Sequence, residues 1–234
     1  MSGAVTTLHV VPPSDAPAAS VLDDVRAQAM VHGPETLSDR QALTALICNH
    51  HPANASQLAA RLLWRFRHFP GVLAASHAAL TATVSPPAAT DIKLAGDMAR
   101  RLLLAELTQG PLLNRSSVLA DYLKASMKGR STEAFRVLWL DARLHLIADE
   151  TMWDGTIQHA PVLEREVYRR ALEIGAASCV IAHCHPSYDV SPSRADIDKT
   201  RQLVDGLRVL GVKVHDHLIV AGQVVTSMAA QGLL

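Results

Sequence analysis

Ala182-His183-Cys184-His185-Pro186-Ser187-Tyr188-Asp189-Val190-Ser191-Pro192-Ser193-Arg194-Ala195-Asp196 is the stretch on which the reading of this chain turns. The mostly apolar run from Ser178 to Ala182 reads as a buried strand, and the histidines stand at its end. Side chains on a strand alternate with period two, so His183 and His185 project to one side and Cys184 to the other. A loop with two prolines then leads to Ser193, a residue suited to cap a helix. Asp196 falls in the first turn of that helix, from where its carboxylate can reach back to the imidazoles. Two imidazoles and one carboxylate are donors that zinc accepts, and three protein ligands leave a fourth tetrahedral position for water. A His-x-His pair alone is common on protein surfaces; the Ser-x-x-Asp that follows is what points to an open, catalytic kind of metal site.

Working outward, Asp196 to Leu210 reads as a helix with Ile197, Val204, Leu207 and Leu210 on one side and Gly211 at its end, and Val212 to Val220 as a further strand. Upstream, Glu164 to Ile174 reads as a helix closed by Gly175. Ala134 to Leu140 and Leu144 to Trp153 are strand-compatible runs around Asp141-Ala142-Arg143, a hairpin. Interleaved strands and helices make this half an α/β sandwich. A helix near Ser117 to Met127 leads into it, after the break at Gly110-Pro111.

The first half has the helical period instead. Ser38 caps a helix through Ile47, Ser56 a second in which Leu58, Leu62 and Phe66 keep helical spacing, and a third is expected from Asp91 to Leu107, set apart by Pro86-Pro87. The expected organisation is a disordered leader over 1-33, a small helical domain over 34-110 and the α/β domain over 111-234. Pro12, Pro13 and Pro17 mark the leader, which lacks a sustained apolar period.

Lys plus Arg equals Asp plus Glu at 22 each, so no overall field points to nucleic acid or to a cationic partner. The cysteines, Cys48, Cys179 and Cys184, are odd in number and unpaired in spacing, which fits a reducing compartment; the cytoplasm is expected. No apolar run approaches a membrane span, and no export signal is read at the start. Cys184 reads as a buried thiol, because strand alternation turns it from the histidines. His215 and His217 repeat the His-x-His spacing without a carboxylate loop after them and read as hydrogen-bonded structural histidines, His217 able to orient a metal ligand from behind. Hydrolysis with a metal-activated water also needs a base, for which Glu133, Glu150, Glu164 and Glu166 stand upstream; spacing does not choose among them.

The spacing His-x-His, seven residues, Ser-x-x-Asp resembles the JAMM metallopeptidase signature, and its surroundings resemble the RadC family. Further similar segments are Gly33-Pro34-Glu35-Thr36-Leu37-Ser38-Asp39, Glu133 to Asp141, Arg165-Glu166-Val167 and Asp216-His217-Leu218-Ile219-Val220. The resemblance implies a mixed sheet flanked by helices, preceded by a helix-hairpin-helix-like module. It implies zinc on His183, His185 and Asp196, Glu133 as the base, and Ser193 helping to hold the tetrahedral intermediate. The implied activity is hydrolysis of an amide or isopeptide bond in a peptide or protein; the alternatives are a DNA-associated protein and a scaffold without turnover. The chain departs from the family where a Gly-containing hairpin is usual and it has Ala82-Thr83-Val84-Ser85-Pro86-Pro87-Ala88-Ala89, which weakens any expectation of phosphate contact there. Arg61, Arg65, Arg67, Arg100 and Arg101 are the basic residues that nucleic acid would use. Cys184 stands where Asn is usual and Tyr188 where Gly is usual.

Overall fold

The computed structural model describes residues 18–127, 130, 132–155 and 163–234. Pro12, Pro13, Pro17 and the rest of the expected leader up to residue 17 lie outside them. The chain divides into two compact units, one ending at Arg61 and one running from Leu62 to Leu234.

In the first unit, α1 (Ala18–His32) corrects the expectation of a disordered leader through residue 33. Its lack of apolar period hid it, but Ala, Leu, Arg, Gln and Met are strong helix formers. Side chains fasten it: Gln28 Nε2 donates to the Thr36 carbonyl at 3.1 Å, and Gln41 Nε2 donates to Gln28 Oε1 at 2.7 Å. Gln41 belongs to α2 (Asp39–Ile47), where Ser38 is the cap as expected and Gln41 completes a capping box. The next helix, α3 (Ala55–Phe66), begins in this unit, ends in the second, and starts two residues earlier than expected, so Ser56 is inside it rather than at its cap. The Asn54 carbonyl takes the first helical N–H, from Leu58, and the Ser56 hydroxyl accepts from Arg40 Nε at 3.1 Å.

In the second unit, α4 (Phe69–Ala74) and α5 (His77–Thr81) are short helices that sequence periodicity does not resolve. The long helix α6 (Pro86–Leu107) begins at the prolines instead of after them. Proline suits a first helical turn because the N–H it lacks has no intrahelical partner there. After α7 (Ser116–Met127) come β1 (Ala134–Leu140), β2 (Leu146–Asp154), α8 (Leu163–Ile174), β3 (Ser178–Cys184), α9 (Arg194–Val209), β4 (Lys213–Ala221) and β5 (Val224–Ser227). They build one mixed sheet in the order β2-β1-β3-β4-β5. Only β3 and β4 are parallel, and α9 is their crossover. The β1–β2 hairpin turns on Asp141, whose Oδ1 accepts the N–H groups of Arg143 at 2.8 Å and His145 at 2.9 Å. The unexpected edge strand β5 returns from β4 through Gly222-Gln223, with Gly222 at φ 61, a conformation that favours glycine.

β1 and β3 lie at the centre and are covered on both faces, which is why both are almost wholly apolar. On one face, Leu138, Val180, Ala182 and Leu218 meet Leu119, Tyr122, Leu123 and Met127 of α7. On the other, Phe135, Val137, Trp139 and Ile181 meet Val167 and Ala171 of α8 and Leu203 and Leu207 of α9. All seven residues of β3 are buried, His183 among them. A fully buried imidazole in an apolar strand needs polar partners, and these lie at the strand's C-terminal end. Among the described residues, no helix is long and apolar enough to cross a membrane.

Candidate metal centre

Period two places His183 on the α8/α9 face of the sheet, and His185, just past the end of β3, follows it. Cys184 lies on the opposite face, in the core against α7, and burial pushes its thiol up, away from the thiolate a metal would need. His185 is fixed by the loop it opens. Its Nδ1 stands 2.7 Å from the Asp189 carbonyl, and Tyr188 donates its N–H back to the His185 carbonyl at 3.2 Å. A carbonyl only accepts, so Nδ1 carries the proton, and on the neutral ring Nε2 faces inward with a lone pair. This turn sets Tyr188 at φ 64, the left-handed region. A residue with a β-carbon is strained there by about 1–2 kcal/mol. The exposed Tyr188 ring rests on Gly222, where a β-carbon would meet it at 2.6 Å.

Ser193 caps α9, and the same hydrogen bonds aim Asp196. The Ser193 hydroxyl and N–H both donate to Asp196 Oδ2, at 2.6 and 2.8 Å, while the Asp196 N–H donates to Ser193 Oγ at 3.1 Å. This reciprocal box holds the carboxylate with Oδ1 at 3.4 Å from His183 Nε2 and Oδ2 at 3.5 Å from His185 Nε2. The two Nε2 atoms are 2.7 Å apart, and the ligand atoms of all three residues fall within 4.8 Å of one another.

The electrostatics suit metal ligation. Burial pushes His183 down to about 4, so its ring is neutral near pH 7. Burial also works against the Asp196 carboxylate, but the adjacent His185 and His183 rings and the donors of Ser193 outweigh it and hold Asp196 well below the usual carboxylate range. The same carboxylate raises His185, because it favours positive charge beside it. Nitrogen lone pairs and a carboxylate thus converge on a point where a cation relieves their mutual repulsion. The donor set fits a zinc ion, and the side toward the neighbouring pocket is left free.

That pocket, about 250 Å³, is lined by Glu133, His185, Asp189, Ser193 and Asp196 among others. Glu133 directly precedes β1. Phe135 pairs with His183 in the antiparallel β1–β3 ladder, so two residues further along Glu133 falls across from His185 on the same face. The other three candidate glutamates are held in ion pairs. Glu150 accepts from Trp139 Nε1 at 3.1 Å and from Arg170 Nε at 2.8 Å; Glu164 pairs with Lys199, and Glu166 with Arg169 at 2.9 Å. Behind the ligands, His183 Nδ1 lies 2.7 Å from His217 Nε2, and His217 Nδ1 lies 2.6 Å from Thr200 Oγ1. Sequence reading named His217 but missed Thr200, whose signal was its place one helical turn after Asp196.

Fold and site together define a class, the α/β JAB domain with a His–His–Asp cluster at the end of a central strand. A family model described as a RadC-like JAB domain matches residues 113–233, and the chain belongs to the RadC family. It is 38% identical over 213 residues to a UPF0758 protein of Rhodobacter capsulatus, an alignment spanning 90% of this chain and all of that relative. A UPF0758 protein of Ruegeria pomeroyi is 37% identical over 213 residues, 90% of this chain and 95% of the relative. Neither name states an activity.

Proposed function

We propose that this chain is a zinc-dependent hydrolase of amide or isopeptide bonds, acting on a peptide or protein. The supporting observation is the convergence of His183, His185 and Asp196 beside a pocket that also holds Glu133. Zinc, when held by these three ligands, supplies Lewis acidity and brings the pKa of a water to about 7. Glu133, which lines the same pocket, would take a proton from the attacking water and pass it to the leaving amine. The Ser193 hydroxyl has one proton, directed here at Asp196. Turned from Asp196, it donates to the substrate oxygen that gains charge as the carbonyl is attacked, while its backbone N–H keeps the carboxylate in place. Cys48, Cys179 and Cys184 are all buried free thiols, which favours a cytoplasmic location.

Metal analysis tests the reading directly. The purified protein is expected to hold about one zinc per chain, as three ligands with an open fourth position require. The His183→Ala/His185→Ala double variant is expected to hold essentially none. Full zinc occupancy in that variant would remove the assignment.

The alternative reading, an association with DNA, finds less support. Arg100 and Arg101 are both drawn to Asp97, at 2.9 and 2.6 Å, and the segment from Ala82 to Ser85 between α5 and α6 has no glycine to bring backbone amides against phosphate. Binding to duplex DNA is expected to be no tighter than about 10⁻⁶ M at physiological salt, with steep weakening as salt rises. A titration in which affinity is nanomolar, or insensitive to salt, would restore nucleic acid as a partner.

A further inference from the structure

The hydrogen bonds behind His183 run in a direction that the chemistry of their end point dictates. Thr200 is fully buried, and its Oγ1 lies 2.6 Å from the Asp196 carbonyl oxygen and 2.6 Å from His217 Nδ1. A carbonyl cannot donate, so the single hydroxyl proton of Thr200 goes to Asp196 O, and Thr200 accepts from His217. His217 Nδ1 therefore carries a proton. The ring is 1% exposed and neither nitrogen meets a carboxylate, which keeps it neutral and leaves Nε2 as an acceptor. His183 Nδ1, 2.7 Å away, must then be the donor. With Nδ1 protonated on a neutral ring, the His183 lone pair is on Nε2, the atom that faces His185 and Asp196. The Phe135 ring stands edge-on to His217 at 5.8 Å and limits its rotation.

We propose that Thr200 and His217 are positioning residues that fix the tautomer of His183 and so keep Nε2 ready for a metal ion. The relay rests on the zinc reading for its purpose but not for its existence, since it is complete within the protein. It also closes a loop: the hydroxyl that orients His217 is anchored on the backbone of Asp196, so both ligands are held through one residue of α9.

Two measurements test it. In the metal-free protein, long-range ¹H–¹⁵N spectra should show His183 protonated at Nδ1 and bare at Nε2; a proton resident on Nε2, with Nδ1 bare, overturns the relay. In chelator-competition titrations, Thr200→Val is expected to weaken zinc binding by about 10–100-fold, the usual effect of losing a group that orients a metal ligand. Thr200→Ser, which restores the hydroxyl, should return affinity to within about threefold of the parent, a rescue that packing alone would not give. His217→Gln should likewise be milder than His217→Leu, because its amide can donate to Thr200 and accept from His183. Equal zinc affinity in the parent and a folded Thr200→Val overturns the proposal. Should the parent itself fail to bind zinc, the proposed function falls, while the spectra still decide the tautomer.

Discussion

Glu133→Gln is expected to retain zinc at the parent's stoichiometry while hydrolysis falls by about a hundredfold or more, the loss typical of a general base. Glutamine keeps the size and polarity of the side chain but is not basic at any working pH. Glu133 lines the pocket without belonging to the ligand cluster, so its replacement should leave the ion in place. Asp196→Ala is the contrasting variant. It removes the only carboxylate in the cluster and the acceptor of both Ser193 donors, and zinc itself should be lost, because two imidazoles alone make a poor site. Metal content and turnover of a peptide or isopeptide substrate, measured on the same preparations, separate the two. If Glu133→Gln hydrolyses as well as the parent and Glu150→Gln or Glu166→Gln does not, the base has been placed on the wrong carboxylate. If both Glu133→Gln and Asp196→Ala retain the parent's activity, that activity does not come from this site.

Trp139→Ala is expected to destabilise the protein by about 3–5 kcal/mol, the range for truncating a large buried aromatic side chain. Trp139 is fully buried in β1 on the face packed by α8 and α9, and its Nε1 donates to Glu150 at 3.1 Å. Alanine leaves a cavity between sheet and helices and takes one donor from a carboxylate that Arg170 continues to hold. Trp139→Phe fills most of that space and should cost distinctly less. Urea unfolding followed by circular dichroism measures both. A loss below about 1 kcal/mol for Trp139→Ala would mean that α8 collapses onto the sheet far more freely than such close packing normally allows.

His183, His185 and Asp196 were legible because each depends on a local rule: strand alternation for the histidines, a serine N-cap for the aspartate. For Glu133, spacing along the chain left it level with Glu150, Glu164 and Glu166, and the family resemblance alone singled it out. Its physical reason is the pairing of Phe135 with His183, a contact between residues far apart in sequence. Thr200 escaped for a related reason, since a threonine inside a helix looks ordinary until the strand carrying His217 is laid against it. The alternation of strands and helices followed from the pattern of apolar residues and the mixed sheet from the family resemblance, whereas α4 and α5 are too short to show a period. The β4–β5 return was readable in principle from Gly222-Gln223 between two valine-rich runs. The start of α6 was misplaced because proline stops a helix from within but begins one well.

β3 serves two masters with alternate residues: His183 faces the ligands while Cys184 is packed against the helices of the opposite face. A single residue inserted or deleted within 178–185 would exchange the two sets, presenting sulfur to the site and burying imidazole in hydrocarbon. Over evolutionary time this strand can accept substitutions but hardly any change of length. The loop from Pro186 to Pro192 has more latitude, because it need only return the chain to Ser193 while leaving a carbonyl for His185. Variation in what such proteins recognise is then more readily acquired by reshaping that loop than by altering the strand that feeds it.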